Sequence, residues 1–370
     1  MRIFWITTCL GTIGGTEIYT KDLLEELLDR GHEILVYTNA QYNVEGARME
    51  RMPVYGHHAF HKFEGPIFSG KALKLAKEFK PELVQSQNNS LMGYIGHRIK
   101  KQQKIPHVLL LEVLSSYNFT LHMKVLFETE KFLMPKLNYD KLVVWTSDMK
   151  KQYLKFGVPE EKIEIQPGAV NLDNYNLKAD GSSIREKYGE HLITSIKSLW
   201  SSNAKGIEYV IRAMQYVVPS YPEYKYVIFG WGKNAKDLQE LANQLDLKEN
   251  VILAGPIQHD ECEKVAAATE IGPHSLVYEA PTSISLLEYM AWGKACVVTD
   301  IGSVKEFVRD STLLVKPKDP ESIAQGIIAF IEDSKLRKEY EKKARALVEQ
   351  EYTIKKAADR LEKTWEEVSK

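Results

Sequence analysis

Glu279 and Glu288 stand with eight residues between them, and Ser283 and Ile284 lie inside that interval. A carboxylate is well suited to grip a pair of vicinal hydroxyls, because its two oxygens accept two hydrogen bonds at once. Pro281-Thr282 breaks the chain, and Thr282 or Ser283 is placed to cap a helix that follows. The first N–H groups of such a helix, around Ser283 and Ile284, have no partner within the helix and carry its positive dipole end, so they form a ready anion site. Two hydroxyl-gripping carboxylates with phosphate-gripping donors between them suit a sugar nucleotide.

The surrounding stretch, Ile271 to Asp300, reads as a loop, a helix and a buried strand. Leu286, Leu287, Met290 and Ala291 give the helix a packing face, Gly293 stops it, and Ala295 to Thr299 is a short apolar run of the buried-strand type. A second candidate site lies near the start of the chain. Gly14-Gly15 follows the run Ile3 to Thr8 and opens a helix over Thr16 to Arg30. Glycines there let the backbone approach a ligand without a Cβ clash, with the helix dipole aimed at it.

Strand-like and helix-like segments alternate along the whole chain. Strands are expected at Ile3 to Thr8, Glu33 to Thr38, Leu83 to Ser86, His107 to Leu114, Lys141 to Thr146 and Ile163 to Ile165. The polar, turn-rich stretch Asn171 to Ser183 reads as a linker. The alternation then restarts, with strands at Leu192 to Ile196, Tyr224 to Phe229, Val251 to Ala254, Ala295 to Thr299 and Thr312 to Val315. From Pro320 the chain reads as helical, with a break near Glu351-Tyr352-Thr353. Such alternation specifies α/β units with parallel sheets covered by helices on both faces.

Composition narrows the function classes. The formal net charge of -1 gives no electrostatic case for nucleic acid as a partner. Cys9, Cys262 and Cys296 are scattered without metal-ligand or disulfide-framework spacing, a usage that fits a reducing cytoplasm. His57, His58 and His61 share one loop at a spacing more typical of a surface than of a metal site. The apolar start of the chain is too short to span a bilayer and reads as a first buried strand.

The segment EYMAWGKACVVTD, led by Glu288, resembles the acidic motif of the retaining family 4 glycosyltransferases, in which two glutamates flank seven residues. Here there are eight, which a one-residue bulge at Pro281 would absorb. The resemblance implies the GT-B fold: two Rossmann-like domains facing across a cleft, with the last helix crossing back to the first domain. On that reading residues 1–175 with helix 353–370 form the acceptor domain, and 184–350 the nucleotide-sugar donor domain. Lys205-Gly206 resembles the family's Lys-Gly pair, whose lysine, with an arginine, holds the departing diphosphate. Ser198 stands at the arginine's place, so Lys197 beside it is either the second cation or a solvated lysine. Phe229-Gly230-Trp231-Gly232 resembles the family's turn near the nucleotide base, and lacks the third glycine of a dinucleotide-binding loop. GTIGGTE is similar to the first-domain glycine loop beside the donor diphosphate. Glu112 stands where the family often has a histidine near the donor sugar, and Gln85-Ser86-Gln87 replaces a histidine-containing turn. Glu112 either bonds a sugar hydroxyl or is structural.

The resemblance implies a retaining glycosyltransferase in which Glu288 holds the ribose, Glu279 the donor sugar, Ser283 and Ile284 the phosphate, and Lys205 the leaving charge. No metal and no cofactor beyond the nucleotide-sugar substrate are expected, since there is no Asp-x-Asp motif. The acceptor is a glycan, a lipid-linked sugar or a small molecule. A non-hydrolysing sugar-nucleotide epimerase and a non-catalytic sugar-nucleotide-binding subunit are the alternatives. Residues 98–162 hold twelve Lys/Arg against seven Asp/Glu. Within them, the apolar and basic residues of Tyr117 to Leu137 suit either a peripheral contact with the inner, anionic face of a membrane or a buried helix with solvated lysines.

Overall fold

The computed structural model describes residues 1–12, 14–52, 65–112, 121–200, 202–258, 261–277 and 283–370, with backbone alone for 65–68, 121–126 and 202–205. Two compact units emerge, Met1–Ala169 with Ile354–Lys370, and Val170–Thr353.

The first unit runs β1 (Arg2–Thr7), α1 (Gly15–Asp29), β2 (Glu33–Thr38), β3 (Arg48–Arg51), α2 (Gly65–Phe79), β4 (Leu83–Gln87), α3 (Ser90–Gln103), β5 (His107–Leu111), α4 (Leu121–Leu133), β6 (Lys141–Val144), α5 (Ser147–Lys155) and β7 (Ile163–Ile165). Its strands form one parallel sheet in the order β3-β2-β1-β4-β5-β6-β7. Phe4, Ile6, Leu35, Val84, Ile95 and Ile99 build the core on one face of that sheet. The apolar runs are continuous because strands covered on both faces have no solvent side to alternate with.

The second unit runs α6 (Ser182–Tyr188), β8 (Leu192–Ile196), α7 (Ser202–Val217), β9 (Lys225–Phe229), α8 (Ala235–Gln244), β10 (Val251–Gly255), α9 (Cys262–Ala268), β11 (Thr269–His274), α10 (Ile284–Ala291), β12 (Ala295–Thr299), α11 (Val304–Val308), β13 (Leu313–Val315), α12 (Pro320–Glu332) and α13 (Ser334–Glu351). Its parallel sheet has the order β10-β9-β8-β11-β12-β13. Both sheets therefore reverse direction of growth once, between β1 and β4 in the first and between β8 and β11 in the second. In open α/β sheets ligands bind outside the carboxyl ends of the strands at such points.

The chain then returns to the first unit as α14 (Ile354–Ser369), the crossing helix that the family resemblance implies. Trp365 is fully buried, meets Trp5 edge-on at 6.2 Å and donates its indole N–H to Gln85 Oε1 at 2.8 Å. Arg30 pairs with Asp359 at 2.7 Å and Glu362 at 2.6 Å, fastening α14 to the end of α1.

Three features differ from the sequence reading. The edge strand β3, of sequence RMER, has no apolar alternation to reveal it. The stretch beginning at Ile271 is not a loop at first: Thr269–His274 is the central strand β11, which Gly272 and Pro273 disguise because both residue types are disfavoured in strand interiors. Gly272 is required there, since a Cβ would run into the ring of Tyr289. The polar stretch 171–183 is no free linker either. Val170 N–H bonds to Tyr352 O at 2.9 Å, and Tyr175 is buried in the second unit.

Candidate active site

In the second unit the reversal point brings three polar side chains together. Lys197 is the residue after β8, and His274 is the last residue of β11. Lys197 Nζ lies 3.2 Å from His274 Nε2, and the same nitrogen lies 2.8 Å from Ser283 Oγ. Ser283 is the N-cap of α10, yet its hydroxyl accepts no bond from the first-turn N–H groups and turns instead to His274 and, at 3.1 Å, to Ser285. Ile284 opens the helix. The structure thus gathers Lys197, Ser283 and Ile284 at one helix N-terminus, and adds His274, which the sequence reading passed over. Strand position does not turn Lys197 away from that helix end.

Burial sets the protonation here. His274, 4% exposed, is held well below the usual imidazole range by desolvation and by the adjacent Lys197. Burial pushes the Lys197 amine down to about 7.

The backbone around Lys197 is fixed by close approach. Lys197 N–H bonds to Phe229 O and Leu199 N–H to Trp231 O, both at 2.9 Å, so the pairing of β8 with β9 continues past both strand ends. Gly230 (φ 152°) and Gly232 (φ 158°) make this possible, because a Cβ would overlap the Lys197 carbonyl in one case and the Leu199 carbonyl in the other. Gly230 therefore acts directly on the Lys197 backbone. The two loops present Trp200 and Trp231 to solvent, 44% and 60% exposed, with rings edge-on at 5.7 Å. Lys205 lies in the first turn of α7, and its side chain is outside the described residues. Gly206 next to it has the Ser275 carbonyl where a Cβ would go, so this turn packs on the segment that follows β11.

Glu288, half-buried one turn into α10, accepts a hydrogen bond from the Tyr175 hydroxyl at 3.3 Å. Glu279 lies outside the described residues. The start of its loop is clamped: Leu276 N–H bonds to Thr299 Oγ1 at 2.7 Å, and that hydroxyl donates to Leu276 O at 2.9 Å.

In the first unit Gly14 (φ 97°) caps α1 and Gly15 is its first residue, at the carboxyl end of β1 beside the reversal point. The anion at this helix end is the chain's own. The carboxylate of Glu17 lies where a Gly14 Cβ would be, and burial raises its pKa. Glu112 directly follows β5 and is 0% exposed. Gln87 Nε2 donates to its Oε1, while Oε2 has no hydrogen-bond partner among the described residues. Burial pushes the Glu112 carboxyl up to about 8, and the charge of Glu17 adds to the shift. Gln87 also donates to Thr20 Oγ1 at 2.6 Å and accepts from Trp5 Nε1 at 2.7 Å. Ser86 Oγ meets His107 Nε2 at 2.9 Å. The triplet Gln85-Ser86-Gln87 thus binds the interior of its own unit together. Asn88, which follows it, takes φ 93°, a conformation that only a local constraint holds in a non-glycine residue.

Among the described residues no three His, Cys, Asp or Glu side chains converge so as to hold a metal ion, and His57, His58 and His61 lie outside them. Among the same residues no helix is long and apolar enough to cross a membrane.

Comparison with known families decides the class. Residues 13–174 match the model described as Glycosyltransferase Family 4, and residues 183–347 the model described as Glycosyl transferases group 1. The chain is a family 4-type glycosyltransferase. An uncharacterized glycosyltransferase of Methanocaldococcus jannaschii is 25% identical, covering 87% of this chain and 86% of its own. The alpha-monoglucosyldiacylglycerol synthase of Streptococcus pneumoniae is 26% identical over 70% of this chain and 63% of its own. An Anabaena protein solved in complex with UDP-glucose superimposes with a TM-score of 0.82 at 17% identity, covering 99% of this chain and 100% of its own, a likeness of fold. The glycosyltransferase accordingly has the GT-B fold, with Rossmann-like units in each half.

Proposed function

We propose that this glycosyltransferase uses a nucleotide-sugar donor and transfers its sugar with retention of configuration. The observation that carries the reading is the meeting of Lys197, His274 and Ser283 at the N-terminus of α10, with Glu288 one turn further along the same helix. A diphosphate at that helix end would meet the N–H groups around Ser283 and Ile284, the dipole, and the Lys197 amine. Lys205, in the first turn of α7, would add the second cation, which is needed as charge builds on the departing phosphate. Glu288, steadied by Tyr175, would take the ribose diol, and Glu279 the hydroxyls of the donor sugar. The departing phosphate oxygen would take the acceptor proton, so no protein base and no metal or added cofactor is called for. Glu112, enclosed and bonded to Gln87, would shape its surroundings from within instead of touching the sugar.

A thermal-shift screen of nucleotide sugars tests the donor, since a ligand of the folded state raises its apparent stability. Nucleotide release measured with and without acceptors then separates transfer from epimerisation and from binding alone. No stabilisation by any nucleotide sugar would overturn the reading.

For the acceptor, one surface favours a lipid-linked molecule at an anionic membrane. In Tyr117 to Leu137, Met134 and Leu137 are buried and Leu133 packs on the core, while Phe127 meets Phe156 edge-on at 5.3 Å. Phe119, Val125 and Leu126 lie outside the described side chains. Phe132 is 63% exposed, with Lys136 Nζ 3.0 Å from its ring centre. A Cβ added at Gly157, next to the end of α5, would lie 3.8 Å from Pro135 Cβ, and Leu154 on that helix is also exposed. Lys131, Lys151 and Lys155 are exposed on the same two helices. Apolar tips rimmed by lysines suit an interface with anionic lipid. The pneumococcal relative is itself a synthase of a glycosylated diacylglycerol by its name.

A further inference from the structure

His274 stands between the two groups expected to hold phosphate, and nothing in the acidic motif accounts for it. It ends the central strand β11, at the point where the sheet reverses, and its ring is enclosed. One nitrogen, Nε2, faces both Lys197 Nζ at 3.2 Å and Ser283 Oγ at 2.8 Å. A neutral imidazole with its proton on Nδ1 offers a single lone pair at Nε2. In that tautomer the lone pair can accept from Lys197 or from Ser283, and the Ser283 hydroxyl has Ser285 Oγ at 3.1 Å as a second partner, so Nε2 can hold the Lys197 amine.

The charges around Lys197 are one-sided. From β11 the amine faces His274, whose Nε2 also meets the Ser283 hydroxyl of α10, and on the β9 side the Lys197 backbone N–H bonds to the Phe229 carbonyl. Among the described residues no carboxylate lies within ion-pair distance of its amine. A half-buried ammonium with no counter-charge among the described residues is costly, and the cost falls when an anion arrives.

We propose that His274 is a positioning residue that parks the Lys197 amine at the α10 N-terminus, and that a bound diphosphate draws this amine off the imidazole as a full ammonium. The proton comes from solvent: one amine and one proton become one ammonium, no other bond is made or broken, and Nε2 is left to accept from Ser283 alone. Donor binding is then coupled to uptake of up to one proton. The depressed basicity of the Lys197 amine agrees with this. The proposal rests on the reading that the donor carries a diphosphate.

Calorimetric titration of UDP, GDP and ADP tests it, run near pH 8 in Tris and in HEPES, where a nucleoside diphosphate holds no titrating proton of its own. For the tightest of the three, the heats in the two buffers should differ in the sense of proton uptake by the protein. Lys197→Met should abolish that difference and weaken binding roughly tenfold to a hundredfold. His274→Leu should weaken binding by roughly tenfold, appearing in KM more than in kcat. His274→Gln, whose amide can reach the position of Nε2, should recover most of the loss. Tight binding with equal heats in both buffers overturns the proposal, and so does wild-type affinity in a folded His274→Leu protein. The wild-type and Lys197→Met titrations decide the matter even if the leucine variant does not fold. Failure of all three nucleotides to bind the wild-type protein would instead remove the donor reading beneath the proposal, and the proposal with it.

Discussion

The hydroxyl of Tyr175 donates to Glu288 Oε1 at 3.3 Å, while its ring packs edge-on against Trp292 at 5.0 Å, one turn further along the helix that carries Glu288. A carboxylate expected to grip a diol is thus steadied by a residue from a stretch that looks like a solvated connection. Tyr175→Phe keeps the ring packing and removes the hydroxyl, so it should raise KM for the donor by roughly threefold to tenfold and leave kcat nearly unchanged. Glu288→Ala should come close to abolishing donor binding, because buried ribose hydroxyls would lose a charged acceptor. Wild-type donor affinity in a folded Glu288→Ala protein would remove the ribose assignment. Steady-state kinetics on both variants, with circular dichroism to check folding, makes the test.

Tyr175 also shows where the sequence is legible and where it is not. Residues whose role follows from backbone chemistry were readable. Gly293 and Gly31 adopt φ of 64° and 86° just past helix ends, as a stop signal requires. Leu286, Leu287 and Met290 are buried as the helical period demands. Residues whose role depends on partners far along the chain were not. Tyr175 meets Glu288 across more than a hundred residues, and His274 gains its meaning from Lys197, which lies three sheet crossovers earlier. The strand ending at His274 was hidden for a further reason: Gly272 and Pro273 defy strand preference locally, and the sheet overrides them with pairing on both sides, to β8 and to β12. Glu17 gave a signal that could have been used, an acid in the first turn of a glycine-opened helix, which predicts that the helix end is already supplied with negative charge.

Lys205 enters through its place in the first turn of α7, against the segment that follows β11. If its charge is needed chiefly as the diphosphate leaves, Lys205→Ala should lower kcat by about 10²–10³ while changing donor affinity far less. Single-turnover and binding measurements separate the two effects. Unchanged turnover would move the role to Lys197.

Glu112 makes a prediction about stability. Its carboxyl is enclosed and titrates near 8, against an ordinary value of 4.5. Between those values the folded protein keeps a proton that the unfolded chain has lost, so the folded state binds more protons. Stability must then fall as pH rises through this window, by up to ~1.4 kcal/mol per pH unit from this one group, and the loss levels off above the folded value. Glu112→Gln mimics the protonated acid and can still accept from Gln87. It should remove that part of the slope and leave the variant more stable than wild type near pH 8. Urea unfolding of both proteins at intervals from about pH 5 to 8.5 would show it. Parallel curves would mean that Glu112 ionises like an ordinary carboxyl.

The surface around Phe132 carries the prediction about location. Phe132 and Leu154 are exposed, and exposed Lys131 and Lys136 flank the first along the chain while exposed Lys151 and Lys155 flank the second. Lys136 lies over the Phe132 ring, so ring and charge would enter an interface together. Each lysine near anionic lipid is worth about 1 kcal/mol at low ionic strength, and the attraction decays with added salt. The protein should float with liposomes containing phosphatidylserine or phosphatidylglycerol at low salt, and be released at high salt. Replacing the four lysines by glutamine should abolish flotation, whereas Phe132→Ser should weaken it and leave its salt dependence in place. Neither change touches the site around Lys197 and Glu288, so turnover on a water-soluble acceptor should hold. If the wild-type protein stays in the soluble fraction with anionic liposomes at low salt, the lysines merely solvate two packed helices, and a soluble acceptor becomes the better reading.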